Sequence, residues 1–242
     1  MLRGLWKLTW LETKIFVREP LGVVGTVGVP IVLFLLLGRI GGRGAPRLLT
    51  DDLPILVAVM IAMSAIISLV SIIAIYREGG ILKRLRATPL QPTTILLAHV
   101  LVKLGFTALS LVVLVLLGMR SVSPGQAAAP FAFGLALLFV TFTLLSIGFV
   151  LASIVPTARF AQPLATSVIY TMLAFSGLFV AIERMPGPVR VVARALPLPY
   201  AVSLLRGTWR GEGWIAHSGD VAALLLVCAT CTLLSARLFR WE

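Results

Sequence analysis

Apolar residues run along this chain in long unbroken stretches, not in the alternation of a half-buried strand. Six stretches stand out, at roughly 21–38, 53–75, 95–118, 130–155, 163–182 and 221–239. A hydrocarbon core ~30 Å thick takes about 20 apolar residues per crossing helix. Lipid offers the backbone no hydrogen-bond partner, so only helices or closed barrels span it. Barrel strands alternate and are about half this length. The pattern therefore predicts an all-α integral membrane fold with six transmembrane helices, forming a single transmembrane domain over 1–242. Lys103 is the one charge well inside a run.

Three segments between or before the runs have a different pattern. Residues 1–19 mix Leu5, Trp6, Leu8, Trp10, Leu11, Ile15 and Phe16 with Arg3, Lys7, Glu12, Lys14 and Arg18. Apolar and basic groups fall on separate sides of a helix, which predicts an interfacial helix in the headgroup plane. Residues 184–212 are too apolar for a free loop. Val189, Val192 and Leu196 share one helical face, and Arg190 and Arg194 the other. Two short helices folded back toward the outer leaflet are expected there. Pro188 falls in the first turn of one, Pro197 ends it and Pro199 opens the next. Trp209 and Trp214 are expected as interface anchors. The third segment, 76–92, reads "YREGGILKRLRATPLQP". Its glycines and the Thr88-Pro89 stop bound a short basic helix, with Glu78 near its start, because the ring of a proline disfavours a helical residue before it.

Composition agrees with a membrane chain. Mean hydropathy is +1.05 and 12% of residues are charged, about half the fraction of a soluble domain. The formal charge of +12 is carried by loops beside apolar runs, without aromatic interleaving, so nucleic-acid binding is set aside. With the N-terminus placed in the cytoplasm, eleven Lys and Arg fall inside and nine outside, five of the nine in the 183–220 loop. Without that loop the count is eleven to four, which puts both termini in the cytoplasm. No small-residue cleavage site follows the first run, so it is expected to stay as an anchor.

Catalytic chemistry is not in view. No phosphate loop, HExxH or GxSxG pattern occurs, so ATP is not held here by a phosphate loop. Cys228 and Cys231 lie in the last run, where a redox pair would lack water and a helix N-terminus. The nine acidic residues lie at or outside the expected membrane faces, and a coupled carrier usually keeps an ionisable group within its bundle. No catalytic residue, metal site or cofactor is expected on this chain. Ser64, Ser68 and Ser71 form one stripe, and Thr166, Tyr170 and Phe175 lie on the fifth run. They are either interhelical glue or the border of a translocation path.

The segment "REGGILKRLRATP" resembles the signature of the ABC-2 type permease family, the membrane subunits of bacterial ABC exporters. It matches the loose pattern R-E-x-G-x-x-x-x-L-x-x-T-P at Arg77, Glu78, Gly80, Leu85, Thr88 and Pro89. A second likeness follows the fifth run in "FSGLFVAIERMP" and "LPLPYAVSLLRG", at Phe175, Ser176, Gly177, Met185, Pro186, Pro197, Tyr200, Arg206 and Gly207. "VAIE" departs from the family, where many members have proline directly after the aromatics.

The resemblance implies a permease subunit in the bacterial cytoplasmic membrane that pairs with a second copy. Each copy would dock a separate ABC ATP-binding subunit, so two copies of that subunit carry ATP and Mg. Residues 77–89 become the coupling helix, with Arg77, Glu78, Gly80, Lys83, Leu85, Arg86, Thr88 and Pro89 facing the ATPase. Glu78 is expected to pair with Lys7, Lys14 or Arg18. A path bordered by hydroxyls and few rings favours an amphiphilic drug-like molecule or lipid as cargo. A polysaccharide or lipid-linked glycan exporter, and a carrier or channel without ATP, are the alternatives.

Overall fold

The computed structural model describes residues 2–18, 20–28, 31–32, 35–36, 53–80, 98, 101–102, 105–110, 112–113, 116, 130–155, 157–176 and 182–238. They are helical, with short turns between. The helices are α1 (Leu2–Arg18), α2 (Pro20–Val23, running into a wider turn at Val24–Gly28), α3 (Leu53–Glu78), α4 (Pro130–Ile154), α5 (Ala158–Ala174), α6 (Gly187–Ala195), α7 (Pro197–Trp209) and α8 (Ser218–Leu238). Within α3, α4 and α8, the segments Val57–Glu78, Phe131–Ile154 and Ser218–Ser235 are long and apolar enough to cross a membrane.

Prolines and glycines set the breaks. α4 stops at Ile154, ahead of Val155-Pro156, where a proline disfavours a helical residue before it. Leu196 is extended (φ −91°, ψ 144°) between α6 and α7, again before a proline. Gly80 ends α3 at φ +64°, in the left-handed region that costs glycine nothing. Gly211 does the same after α7 at φ +80°. There the Glu212 N–H reaches the Gly207 carbonyl at 2.9 Å and the Gly211 N–H reaches that of Thr208 at 3.2 Å, the paired bonds of a Schellman cap.

Four expectations shift. The fifth run forms α5 at Ala158–Ala174, starting before 163 and ending before 182, so Pro163 sits inside the helix. Its 17 residues span about 25 Å at 1.5 Å per residue. Pro197 opens α7 as well as ending α6, and α7 runs past Gly207 to Trp209. Glu78 falls in the last turn of α3, not at the start of a separate helix. Trp209 and Trp214 pack inward on α4, with ring centroids 5.1 Å from Phe133 and 6.2 Å from Phe139. The runs 21–38 and 95–118 are described only in part, and Lys83, Leu85, Arg86, Thr88, Pro89 and Gly177 lie outside the described residues.

The core lies where α3, α4, α5 and α7 meet, and includes Ile66, Leu69, Ile73, Leu144, Ile169, Leu198 and Leu205. Lipid is as apolar as leucine, so close packing and hydrogen bonds, not the exclusion of water, hold such helices together. Gly148 on α4 provides the close approach: a Cβ there would lie 3.2 Å from Leu69 Cδ2 and 3.5 Å from Ile66 Cα on α3. Arg77 at the far end of α3 meets the Val155 carbonyl at the far end of α4, so the two helices run in the same direction. Ser153 lies 3.5 Å from Ser235 near the ends of α4 and α8, while Phe139 in the first half of α4 packs on Trp214 just ahead of α8, so α8 runs parallel to α4 as well. α4 therefore begins at the end where α3 began, and α5 returns the chain between α4 and α8.

Replacing Gly148 with Val is expected to cost about 1–3 kcal/mol, the range for overpacking a tight contact. Gly134, whose added Cβ meets nothing within 4 Å, supplies the control: Gly134→Ala should leave the unfolding midpoint in mixed detergent unchanged. Equal midpoints for the two variants would contradict the close contact.

Candidate functional site

Two polar constellations occupy opposite ends of α3, α4 and α8. The first is built on the last turn of α3. Tyr76 donates its hydroxyl to Glu12 Oε1 of α1 at 3.1 Å. The next residue, Arg77, donates Nη1 to the carbonyl of Val155, at the corner between α4 and α5. Phe16 of α1 is buried and packs on Phe106 at 4.5 Å between centroids. Consecutive residues thus brace α3 on two sides, immediately before Gly79 and Gly80 release the chain. The outward side of α1 carries Trp6, Trp10, Leu11, Lys7, Lys14 and Arg18, all exposed. The pair Tyr76–Glu12 joins α1 to α3 and was not among the pairings expected between these helices. Tyr76 stood one residue before the basic segment's first charge, and nothing in the sequence paired it with position 12.

The second constellation closes the hairpin of α6 and α7 against α8. The Met185 carbonyl accepts a hydrogen bond from Arg190 Nη2 at 3.0 Å, and Tyr200 donates its hydroxyl to the Arg194 carbonyl at 2.6 Å. α7 then enters the core, burying Leu198, Ala201, Val202, Leu204, Leu205 and Thr208. Beyond the Schellman cap, His217 Nε2 lies 2.9 Å from Glu212 Oε2 and Nδ1 lies 2.9 Å from Asp220 Oδ2. Ser203 of α7 donates to the same Asp220 oxygen at 2.7 Å. The imidazole rests on Gly207, where a Cβ would fall within the ring. Burial alone would lower the pKa of His217. Its hydrogen bonds to Asp220 and Glu212, and their charges, outweigh that and raise it above the ordinary 6.5. This cluster escaped sequence reading, although His217 and Asp220 are three apart at a helix start.

The expected path residues lie on α3, on α5 and in the turn that follows α5. Ser64, Ser68 and Ser71 are half-buried on the flank of α3. The Ser68 hydroxyl is buried without a partner among the described residues. Thr166 and Phe175 are half-buried, and Tyr170 is 57% exposed on α5. Many other hydroxyls turn back on their own helices, as Thr141, Thr143, Ser153, Ser167 and Thr171 do to carbonyls four residues earlier, which satisfies them locally. Cys228 and Cys231 are free thiols. No group of three metal-ligating side chains occurs among the described residues.

The family model described as ABC-2 type transporter matches residues 3–209. The chain belongs to the ABC-2 type transporter family. It is a membrane transport component, not itself an enzyme, of a family that works with an ABC ATP-binding subunit. The match covers α1 through α7, so both sequence likenesses lie within it. Comparison with curated proteins returned no match. The residues carrying the second ABC-2 likeness have legible structural work: Ser176 closes α5 by donating to Leu173 at 2.7 Å, Pro186 precedes α6, Pro197 opens α7, Tyr200 joins the two short helices, and Gly207 leaves room for His217.

Tyr76→Phe is expected to cost about 0.5–1.5 kcal/mol, the net worth of one hydrogen bond, and to raise amide exchange across α1. Unchanged exchange would show that the bond does not hold α1. Gly207→Ala should destabilise by displacing the imidazole. In a double-mutant cycle with His217→Ala most of that cost should vanish, whereas additive costs would contradict the contact.

Proposed function

We propose that this chain is the permease subunit of an ATP-driven exporter, working as two copies with two ABC ATP-binding subunits that hold ATP and Mg. The observation that carries the reading is the braced last turn of α3. The expected coupling segment 77–89 begins directly after Tyr76, and Tyr76 and Arg77 hold α1 and the α4–α5 corner. A push on that segment is delivered at once to three elements, as a coupling element requires. ATP binding would close the ATPase pair, move Arg77, Glu78, Gly80, Lys83, Leu85, Arg86, Thr88 and Pro89 with it, and bias the bundle between inward and outward access.

Topology supports the six-span count. α3, α4 and α8 run in the same direction, so returns are needed between them; α5 is one and the run 95–118 the other. With 21–38 leading into the sequence, the termini share a side, and the braced end with its cations becomes cytoplasmic. α1 then lies at the inner headgroups with Trp6 and Trp10 toward lipid, and α6 and α7 form the re-entrant hairpin on the outer side. The exposed flank carrying Tyr170, with Ser64, Ser68, Ser71, Thr166 and Phe175 beside it, would border a path completed by the second copy. Hydroxyls with one or two rings and no charge suit an amphiphilic drug-like molecule or lipid.

Purification of the chain from its native membrane tests the proposal. A phosphate-loop ATPase is expected to co-purify, and charge reversal at Arg86 to reduce its recovery or its transport-linked hydrolysis at least tenfold. Absence of any such ATPase, together with intact function in the Arg86→Glu and Gly80→Pro variants, would sink it.

A further inference from the structure

We propose that Glu212, His217, Asp220 and Ser203 form a proton-dependent clasp that fixes α7 and the 210–217 turn to the first turn of α8. The argument begins with donor arithmetic. Both imidazole nitrogens lie 2.9 Å from carboxylate oxygens. Ionised carboxylates only accept hydrogen bonds, and a neutral imidazole has one donor and one lone pair. Only the imidazolium donates to both. Deprotonation turns one nitrogen's lone pair toward a carboxylate, so one contact changes from attraction to repulsion.

The surroundings make this consequential. The side chains of His217 and Asp220 are 15% and 20% exposed, against 48% for Glu212. Water therefore replaces the Glu212 contact readily and the Asp220 contact poorly. Asp220 also receives the Ser203 hydroxyl, so one carboxylate ties α8 to both the turn and α7. α7 faces the ring with Gly207 and Ser203, neither ionisable at these pH values. The ionisable groups acting on the ring are Glu212 from the turn and Asp220 from α8; the cations Arg206 and Arg210 lie near Gly207 in the sequence. Without a side chain at 207 the imidazole sits directly on the α7 backbone, so a change in ring position is felt by that helix. Among the described residues of α8, Leu224 is the buried one; the rest of the helix lies along α4 and toward the surface.

The sign of the pH dependence follows. The folded pKa of His217 lies above 6.5. Such a group contributes its full stability below the unfolded value and loses it as pH rises through the folded value. The clasp is closed in mildly acidic medium and opens on the alkaline side of 6.5. On the permease reading above, this end faces outward, and the clasp makes the outer end of the bundle responsive to external protons.

The chain has two histidines, so isotope-labelled histidine in the full-length protein in nanodiscs gives two imidazole signals. The His99→Gln variant assigns them. Both nitrogens of His217 are expected to be protonated at pH 6, with deprotonation on the alkaline side of 6.5. Over the same pH range, amides in 203–220 should lose exchange protection, after correction for intrinsic exchange. Asp220→Asn should move the titration to lower pH. Titration of wild-type His217 at or below 6.5, or titration with no change in protection, overturns the clasp. Neither measurement needs a partner or cargo, so failure here leaves the permease reading standing, and failure to recover an ATPase leaves the clasp standing.

Discussion

Gly148 brings α4 against Ile66 and Leu69 of α3, and Arg77 meets the Val155 carbonyl at the end the two helices share. The rest of the structure depends on this parallel contact. In lipid there is no gain from hiding leucine from water, so helices stay together only where backbones come close enough for dispersion and hydrogen bonds to accumulate. A side chain at 148 would separate them. Two parallel neighbours also dictate the route of everything between them, since each must be reached by a return crossing. α8 repeats the rule against α4 through small and hydroxyl side chains, and α7 enters the remaining space.

This arrangement separates the molecule into two unlike ends. One gathers α1, the last turn of α3 and the α4–α5 corner, joined through Tyr76, Glu12 and Arg77. The other gathers the α6–α7 hairpin and the start of α8, joined through Tyr200, Ser203, His217 and Asp220. The polar contacts described at both ends join particular residues, whereas the middle is apolar and many of its described hydroxyls bond their own helix, with Ser68 an exception. A transporter needs such a division. Its middle must slide or tilt without leaving polar groups unpaired, and its ends must hold one arrangement until driven to another.

How much of this the sequence disclosed follows from what sequence encodes locally. The lengths of α3, α4 and α8 were legible because hydrocarbon imposes a length and excludes charge. α1 was legible from its segregated tryptophans and lysines. The hairpin was anticipated because Pro188 and Pro197 punctuate an apolar loop, but its placement was not: Trp209 and Trp214 resemble interface anchors in sequence, and pack on Phe133 and Phe139 instead. The limits of α5 were misjudged because Pro163 was treated as an edge, although the chain accommodates it in an early turn. The bonds Tyr76–Glu12 and Ser203–Asp220 join residues 64 and 17 positions apart, and no local pattern carries such pairings. Gly207 could be seen as part of a motif, but its reason, the imidazole lying on it, needed the fold.

The proposed placement of the two ends on opposite membrane faces is tested most directly by sided labelling. In a background with Cys228 and Cys231 replaced by alanine, single cysteines would be placed at Ile215, which is 91% exposed, and at Lys14 on the outer surface of α1. A membrane-impermeant maleimide is then applied to intact cells and to permeabilised cells. The Ile215→Cys variant should be labelled in intact cells, and the Lys14→Cys variant only after permeabilisation. Labelling of both from the same side would contradict the arrangement.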